Sequence, residues 1–400
     1  MTNNLDLILT LTGGLGAGLV LGYLTERMRL SPTVGYLLAG IAIGPFTPGF
    51  VASSSIASQL AEVGVILLMF GVGLHFNLKD LYAVRTVAIP GALIQSTVSA
   101  AVTIAVTCAF GWPLGAGLVF GTAISVASTV VLTRVLADND ELQTPAGHIA
   151  VGWLLVEDIL TVVALVVLPI VTVREPVAHG GHSLAVALAL AMLKIGALSV
   201  FTLLVGMRVI PKLLTYIVNT ASRELFTLAV LVIALGIAVG SAELFGASMA
   251  LGAFLAGVVV GQSDFSARAA AEALPLRDAF AVLFFVAIGM LFDPSQLLDH
   301  LPLTIATLAV VLLAKPLIAF AVIALFKRPL RTAVLVAIAL GQIGEFSFIV
   351  AGLGRELGVL PREATQTLVV VAIASITVNP LLWKAVIPIV DRLARVPDVL

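Results

Sequence analysis

Two adjacent acids, Glu157 and Asp158, lie in the middle of an otherwise apolar run from Val151 to Val173. A single charged side chain at the centre of a membrane helix costs about 2.5–3.5 kcal/mol on insertion scales. Neighbouring helical residues are about 100° apart, so only one of the two can point squarely at a given cavity. One buried acid held by a lysine would be an ordinary structural feature, but architecture rarely needs two adjacent acids. The pair therefore predicts a proton or ion site.

Lys315 is a candidate counter-charge for these acids. It lies midway along another apolar run, in the segment Leu312–Pro316, too deep for its ammonium to reach the interface easily. A lysine and acids that share one cavity are the groups that a proton-coupled carrier requires. The alternative is a static salt bridge from Lys315 to Glu157 or Glu345.

A third apolar run is rich in hydroxyl groups. If residues 121–130 form one helix, Thr122, Ser125 and Thr129 share a face and Ser128 lies close beside them. Such hydroxyls can bind backbone groups where a membrane helix unwinds, and they can bind a dehydrated alkali cation. They can equally serve as packing contacts between helices.

A second candidate helix break lies towards the C-terminus, where Gly341 and Gly344 flank Gln342 and Glu345 follows. Glycine weakens a helix by about 1 kcal/mol relative to alanine. Two broken helices at matching positions of two halves are typical of the substrate site of a secondary transporter. The alternative role for Glu345 is that of a structural carboxylate bonded to the break.

The composition restricts the chain to one class of protein. Hydrophobic residues make up 60% of the 400 residues and charged residues 11%, and the mean hydropathy is +1.17. These values predict a polytopic membrane protein. The net charge of −1 offers no basic face for nucleic acid. Neither metalloprotease, nucleotide-binding nor dinucleotide-binding motifs are present, which predicts a non-enzyme without a tightly bound cofactor.

Hydropathy predicts an all-α fold of about thirteen membrane-spanning helices in a single transmembrane domain, residues 1–400. The predicted spans run approximately over residues 5–25, 32–48, 59–76, 86–110, 113–135, 144–173, 183–209, 223–242, 246–263, 279–295, 301–326, 330–353 and 364–389. Fifteen Lys and Arg residues then lie on one side and three on the other. By the positive-inside rule the N-terminus is outside and the C-terminus is cytoplasmic. The thirteen spans allow two inverted repeats, which pair the fifth span with the twelfth.

Five segments together resemble the cation:proton antiporter 2 family, near the glutathione-gated potassium efflux proteins and their uncharacterised relatives. The resemblance covers nearly all of the chain. It is carried by Gly35–Gly40 with Gly44-Pro45, by Glu62–Phe70, by Glu157-Asp158, by Phe284–Met290 and by Gly341–Phe346.

The resemblance implies a sodium/proton antiporter-like fold with two crossed, discontinuous helices. It further implies a dimerisation part, approximately residues 1–80 and 183–295, and a core part, approximately residues 86–173 and 301–389, that moves in an elevator-like manner. Asp158 would bind a monovalent cation and a proton in competition, and Lys315 would pair with the first acid of the pair. That position is Glu157 here and glutamine in the glutathione-gated proteins, which leaves the stoichiometry open.

The sequence therefore predicts a homodimeric antiporter of the bacterial inner membrane that exchanges K⁺, or alternatively Na⁺, for protons in pH homeostasis. Ser128, Thr129 and backbone carbonyls near the break would complete the cation shell. Lys315 and Glu345 would neutralise the crossed helix ends, with Gln342 as a further partner in the core. Relatives in the potassium branch carry a cytoplasmic nucleotide-binding domain after the last helix, which this chain of 400 residues does not contain. Either the chain is the transport domain of a longer protein, with that regulatory domain as a partner, or it lacks that control. Membrane lipid is a further expected partner. The alternatives are a gated potassium channel, a sodium-coupled organic-anion symporter and a membrane sensor.

Overall fold

The computed structural model describes residues 5–28, 30–75, 78–172, 184–245 and 248–393. These residues form sixteen α-helices and no strand, which confirms the predicted all-α architecture. The helices are α1 Asp6–Arg27, α2 Pro32–Ile43, α3 Ser54–His75, α4 Leu78–Ala109, α5 Leu114–Ser125, α6 Thr129–Asp138, α7 Pro145–Thr172, α8 Leu184–Val218, α9 Arg223–Phe245, α10 Met249–Gly261, α11 Ser266–Met290, α12 Leu301–Ala309, α13 Lys315–Leu325, α14 Leu330–Leu340, α15 Glu345–Glu356 and α16 Arg362–Leu393.

Membrane-spanning helices dominate the structure. Nine segments of the described chain are long and apolar enough to cross a bilayer, and the bent pair α14 and α15 would be a tenth. The apolar helices α2 and α10 are shorter, with 12 and 13 residues. The chain is therefore polytopic, while the count of thirteen spans stays a prediction. The predicted span limits at residues 76, 173, 183 and 246 lie outside the described residues.

Helices α8 and α11 extend beyond the predicted span limits. α8 ends at Val218 and not near residue 209, and α11 begins at Ser266 and not near residue 279. Hydropathy marks only the length that suits hydrocarbon, whereas an alanine-rich segment such as 267–273 continues a helix into water.

The helices group into two compact units. The first comprises the described residues within Met1–Gly18, Pro48–Asn77 and Leu165–Ala287. In this unit α3 and α10 approach each other closely. A Cβ atom added to Gly73 would lie only 2.2 Å from the carbonyl oxygen of Phe254. Small residues let the backbones of membrane helices come into contact.

The second unit contains both broken spans. It comprises the described residues within Leu19–Thr47, Leu78–Ala164 and Ile288–Leu400. One span breaks between α5 and α6, and the other breaks between α14 and α15 with a bend of 44°. α5 packs against α15, and α6 packs against α14. The two discontinuous helices therefore cross, as the predicted fold class requires.

The grouping of helices differs in places from the predicted division into dimerisation and core parts. Residues 19–47 belong to the second unit, whereas the prediction placed them in the dimerisation part. All predicted site residues lie in the second unit. The functional roles of the two parts stay a prediction.

Candidate functional site

The two helix breaks lie in direct contact. A Cβ atom on Gly344 would lie 2.5 Å from the Ser128 Cα, 2.7 Å from the Ser128 nitrogen and 2.9 Å from the Ala127 carbonyl oxygen. Only a residue without a side chain allows this approach. The backbone of one break therefore rests on the backbone of the other.

The Gln342 side chain binds the first break at both of its amide atoms. Its Oε1 accepts a hydrogen bond from the Ser128 backbone N–H at 3.0 Å, and its Nε2 donates to the Ser128 carbonyl oxygen at 3.1 Å. Unwound backbone in an apolar interior needs such partners, because no water replaces the lost helical bonds. Gln342 therefore replaces helical hydrogen bonds that the break removes.

Ser128 also connects the two breaks through its hydroxyl group. The Ser128 Oγ donates to Glu345 Oε2 at 3.0 Å and accepts from the Val131 backbone N–H at 3.2 Å. The second bond makes Ser128 the N-cap of α6. One hydroxyl thus starts the second half-helix and holds the carboxylate that begins α15.

Both acids of the pair reach the first break from α7. The Glu157 side chain is fully buried, and its Oε2 accepts the Ala127 backbone N–H at 2.8 Å. Asp158 is also buried, and its Oδ2 lies 3.5 Å from the Thr129 hydroxyl. The second oxygen of each acid, Glu157 Oε1 and Asp158 Oδ1, has no hydrogen-bond partner among the described residues. Buried carboxylate oxygens are seldom left in this state, so these two suit a mobile ligand.

Lys315 is fully buried at the start of α13, directly after a π-helical turn over Val310–Ala314. Its Nζ donates to the Gln342 carbonyl oxygen at 3.1 Å, a carbonyl freed by the second break. Among the described ion pairs none involves Lys315. The Lys315 ammonium is therefore bound by a backbone carbonyl, and its pairing with Glu157 or Glu345 stays a prediction.

The prediction that these hydroxyls share one continuous helix face is wrong. α5 ends at Ser125 and α6 begins at Thr129, so the hydroxyls do not lie on one helix. The Thr122 and Ser125 hydroxyls bind the carbonyl oxygens of Leu118 and Thr122 within α5. Ser128 and Thr129 alone direct their hydroxyls to the carboxylates.

Two buried residues near the break were missed by the sequence analysis. Gln95 of α4 donates from Nε2 to the Ser125 carbonyl oxygen at 3.2 Å, and Trp153 of α7 donates to Gln95 Oε1 at 3.1 Å. A lone amide in the apolar run of α4 was the available signal. It was weak, because an amide between membrane helices is also an ordinary packing contact.

The cluster at the breaks is rich in oxygen ligands and deeply buried. It combines three carboxylates, those of Glu157, Asp158 and Glu345, with two hydroxyls and backbone carbonyls in a membrane-spanning unit. Hard oxygen ligands suit an alkali cation, and carboxylates at this depth also take up protons. The arrangement can therefore hold either a monovalent cation or a proton.

Comparison with known proteins identifies the family. The model of the family described as "Sodium/hydrogen exchanger, transmembrane" matches residues 14–387. The chain belongs to the sodium/hydrogen exchanger family. The resemblance to cation:proton antiporters is thereby confirmed, and the protein is an integral membrane cation/proton antiporter.

Two curated relatives and one solved structure define this similarity further. The chain is 50% identical over 378 residues to the putative cation/proton antiporter YbaL of Escherichia coli, covering 94% of this chain and 68% of the relative. It is 32% identical to K(+) efflux antiporter 4 of Arabidopsis thaliana over 88% of this chain and 59% of that protein. The structure of the sodium proton antiporter MjNhaP1 from Methanocaldococcus jannaschii superimposes with a TM-score of 0.71 at 16% identity, over 96% and 98% of the two chains. This likeness confirms the sodium/proton antiporter fold.

We expect Ser128→Ala to lower both stability and cation affinity. Loss of the N-cap of α6 should cost about 1 kcal/mol, measured as a lower Tm in detergent. Loss of the hydroxyl also removes the bond to Glu345 and one oxygen atom of the predicted cation shell, so we expect cation binding to weaken. Ser248→Ala is the matched control, because Ser248 caps α10 in the first unit with a bond of 3.3 Å to the Leu251 N–H. Equal cation affinities in the two variants would contradict a ligand role for Ser128.

Proposed function

We propose that the protein is a homodimeric inner-membrane antiporter that exchanges potassium for protons at Asp158 by an elevator-type alternating-access mechanism. The observation that carries this proposal is the pair of buried acids at the crossed helix breaks, each with one carboxylate oxygen free of partners among the described residues. Glu157 is the partner of Asp158, and Ser128 and Thr129 with backbone carbonyls complete the cation shell.

Competition at one carboxylate accounts for the exchange. Asp158 holds either a proton or a cation, and both states neutralise its charge. A neutral site crosses the hydrocarbon at far lower cost than a bare carboxylate. The site with an unoccupied, negatively charged Asp158 therefore does not cross. Transport in one direction by the proton form and in the other by the cation form gives obligatory exchange. Because protons compete with the cation, the apparent KM for the cation should rise as the pH falls.

Potassium is favoured over sodium by the relatives. The Arabidopsis protein at 32% identity is called a K(+) efflux antiporter, and the Escherichia coli protein at 50% identity is called a putative cation/proton antiporter. Sodium is the alternative cation, because the similar solved structure is that of a sodium proton antiporter. That structure shares only the fold at 16% identity, so it carries less weight for the ion.

A cavity in the second unit supports an access route to Asp158. The cavity has a volume of about 380 Å³ and extends along α6, where Glu26, Arg134 and Asp138 contribute to its lining. α6 begins at Thr129, whose hydroxyl lies beside Asp158, and ends at Asp138. The distribution of Lys and Arg favours a cytoplasmic position for the Asp138 end. The cavity would therefore admit cytoplasmic cations.

The test is exchange in proteoliposomes with an imposed pH gradient, an internal pH dye and the membrane potential clamped. Addition of K⁺ outside should restore the dye signal at a lower concentration than Na⁺. Potassium flux that occurs without proton movement would favour the channel, and uptake of an organic anion with sodium would favour the symporter. Either result would overturn the proposal.

The same vesicles test the role of Glu157 in stoichiometry. A second titrating acid beside Asp158 allows two protons per cation, so exchange by the wild type should depend on the membrane potential when the clamp is removed. Glu157→Gln keeps the acceptor for the Ala127 N–H and removes the second charge. We expect this variant to exchange without dependence on the potential. Equal dependence in both proteins would rule out Glu157 as the second proton site.

A further inference from the structure

Gln95 connects three helices in the fully buried interior of the second unit. Its side chain, on α4, has no exposed surface. Its Nε2 donates to the Ser125 carbonyl oxygen at the end of α5 and to the Ser99 hydroxyl, both at 3.2 Å. Its Oε1 accepts the indole N–H of Trp153 of α7 at 3.1 Å. Both ends of one amide are thus bound to residues of the helix break and of the acid-bearing helix.

The Ser125 carbonyl is one of the backbone groups that the break leaves without a helical partner. In an unbroken helix it would accept the N–H of Thr129, four residues later. Unsatisfied backbone groups in hydrocarbon cost several kcal/mol, so the end of α5 is stable only with an external donor. Gln95 is that donor. Two residues further along the chain, the Ala127 N–H binds Glu157.

Trp153 fixes the other side of this connection. It lies one turn before Glu157 on α7 and has no exposed surface. A Cβ atom on Gly91, one turn before Gln95, would lie 2.2 Å from the Trp153 ring. The indole therefore packs against the backbone of α4. This contact and the bond to Gln95 fix the position of α7 relative to α4.

We propose that Gln95 is a positioning residue for the cation site. By bridging Ser125 and Trp153, its side chain keeps the end of α5 beside the two acids of α7. The inference rests on the proposed antiport function. Without this bridge the segment from Val126 to Thr129 is free to shift relative to Glu157 and Asp158. The cation would then meet a poorly ordered shell of hydroxyls and carbonyls, and its affinity would fall.

The test compares Gln95→Met with two other variants in the liposome exchange assay with K⁺. Methionine has a similar shape and no amide. Trp153→Phe removes the indole donor, which faces both Gln95 and Glu157, and leaves the bond from Gln95 to Ser125. Thr103→Val is the matched control, because Thr103 is equally buried on α4 and its hydroxyl bonds only to Ser99 of the same helix.

We expect the apparent KM for K⁺ to rise about tenfold in Gln95→Met, as for other residues that orient ligands from outside the first coordination sphere. Trp153→Phe should change KM in the same direction by less, and Thr103→Val should leave it unchanged. Vmax should stay close to that of the wild type, because weaker cation binding raises KM and leaves the translocation step intact. A fall in Vmax alone, or equal KM values in Gln95→Met and Thr103→Val, would overturn the inference.

Backbone deuterium exchange over residues 125–131 gives a second readout that needs no transport. Exchange in this segment should be faster in Gln95→Met and unchanged in Thr103→Val, and unchanged exchange in both would overturn the inference. If the wild type moves no cation, the proposed function fails. The deuterium exchange of residues 125–131 still shows whether Gln95 holds the break in place. If Gln95→Met does not fold, Trp153→Phe supplies the same comparison.

Discussion

Replacement of Asp158 by asparagine is expected to abolish cation/proton exchange while leaving the protein folded. The side chain is buried beside the α5–α6 break, and its Oδ1 has no partner among the described residues. An amide can neither take up a proton nor neutralise a cation, so position 158 of the variant has no charge for which the two substrates could compete. Asparagine has nearly the same shape and removes a buried charge, so the Tm in detergent should be equal to or above that of the wild type.

Glu243→Gln is the charge-matched control for this experiment. Glu243 lies exposed near the end of α9 in the first unit, far in sequence from the break. Its replacement removes one acid from a membrane helix as Asp158→Asn does, and exchange should continue at the wild-type rate. Cation-dependent recovery of the pH signal in Asp158→Asn vesicles would exclude Asp158 as the carrier carboxylate.

Gly344→Ala should disrupt the crossing of the two broken helices. The new Cβ would lie 2.5 Å from the Ser128 Cα, and the atoms it meets all belong to backbone that cannot rotate away. Its own φ of −123° and ψ of −170° are open to any residue, so the effect is one of contact and not of backbone strain. Overpacking of this kind costs about 1–3 kcal/mol. A displacement of about 1 Å at the ligands could lower the exchange rate on the order of 100-fold.

The control lies on the same helix. Gly352 belongs to α15, and a Cβ atom there would meet no atom within 4 Å. Gly352→Ala should therefore leave exchange unchanged, with a Tm equal to or slightly above that of the wild type because alanine favours the helix. If both variants lose exchange to the same extent, loss of helix flexibility and not the contact at Ser128 would explain the result.

The two predictions address different requirements of one site. In the proposed mechanism Asp158 supplies the charge for which the proton and the cation compete, whereas Gly344 allows the backbones of two distant segments to come into contact. A folded but inactive Asp158→Asn protein would show that exchange needs the charge at position 158. A destabilised and inactive Gly344→Ala protein would show that exchange also needs the close contact of the two breaks. The Tm in detergent and the exchange rate in liposomes are sufficient for the comparison.

The composition and the local pattern of residues determined the class of the protein and the centre of its site. An apolar chain of this length can be stable only in a membrane, and its long apolar runs are typical of spanning helices, so the all-α fold followed from the sequence. Glu157 and Asp158 were identified because a charge inside an apolar run is costly wherever the helix lies in the fold. The glycines at 341 and 344 marked the second break for a similar local reason.

Tertiary structure alone decided which groups meet. Gln342 binds the backbone of Ser128, a residue 214 positions away, and Lys315 binds the Gln342 carbonyl. Spacing along one helix shows only which side chains share a face of that helix. The break after Ser125 ends that regularity, so Thr122 and Ser125 do not share a face with Thr129. The backbone groups that a break exposes are then satisfied by whichever donor or acceptor the packing brings near, and for this reason the role of Gln95 is visible only in the folded chain.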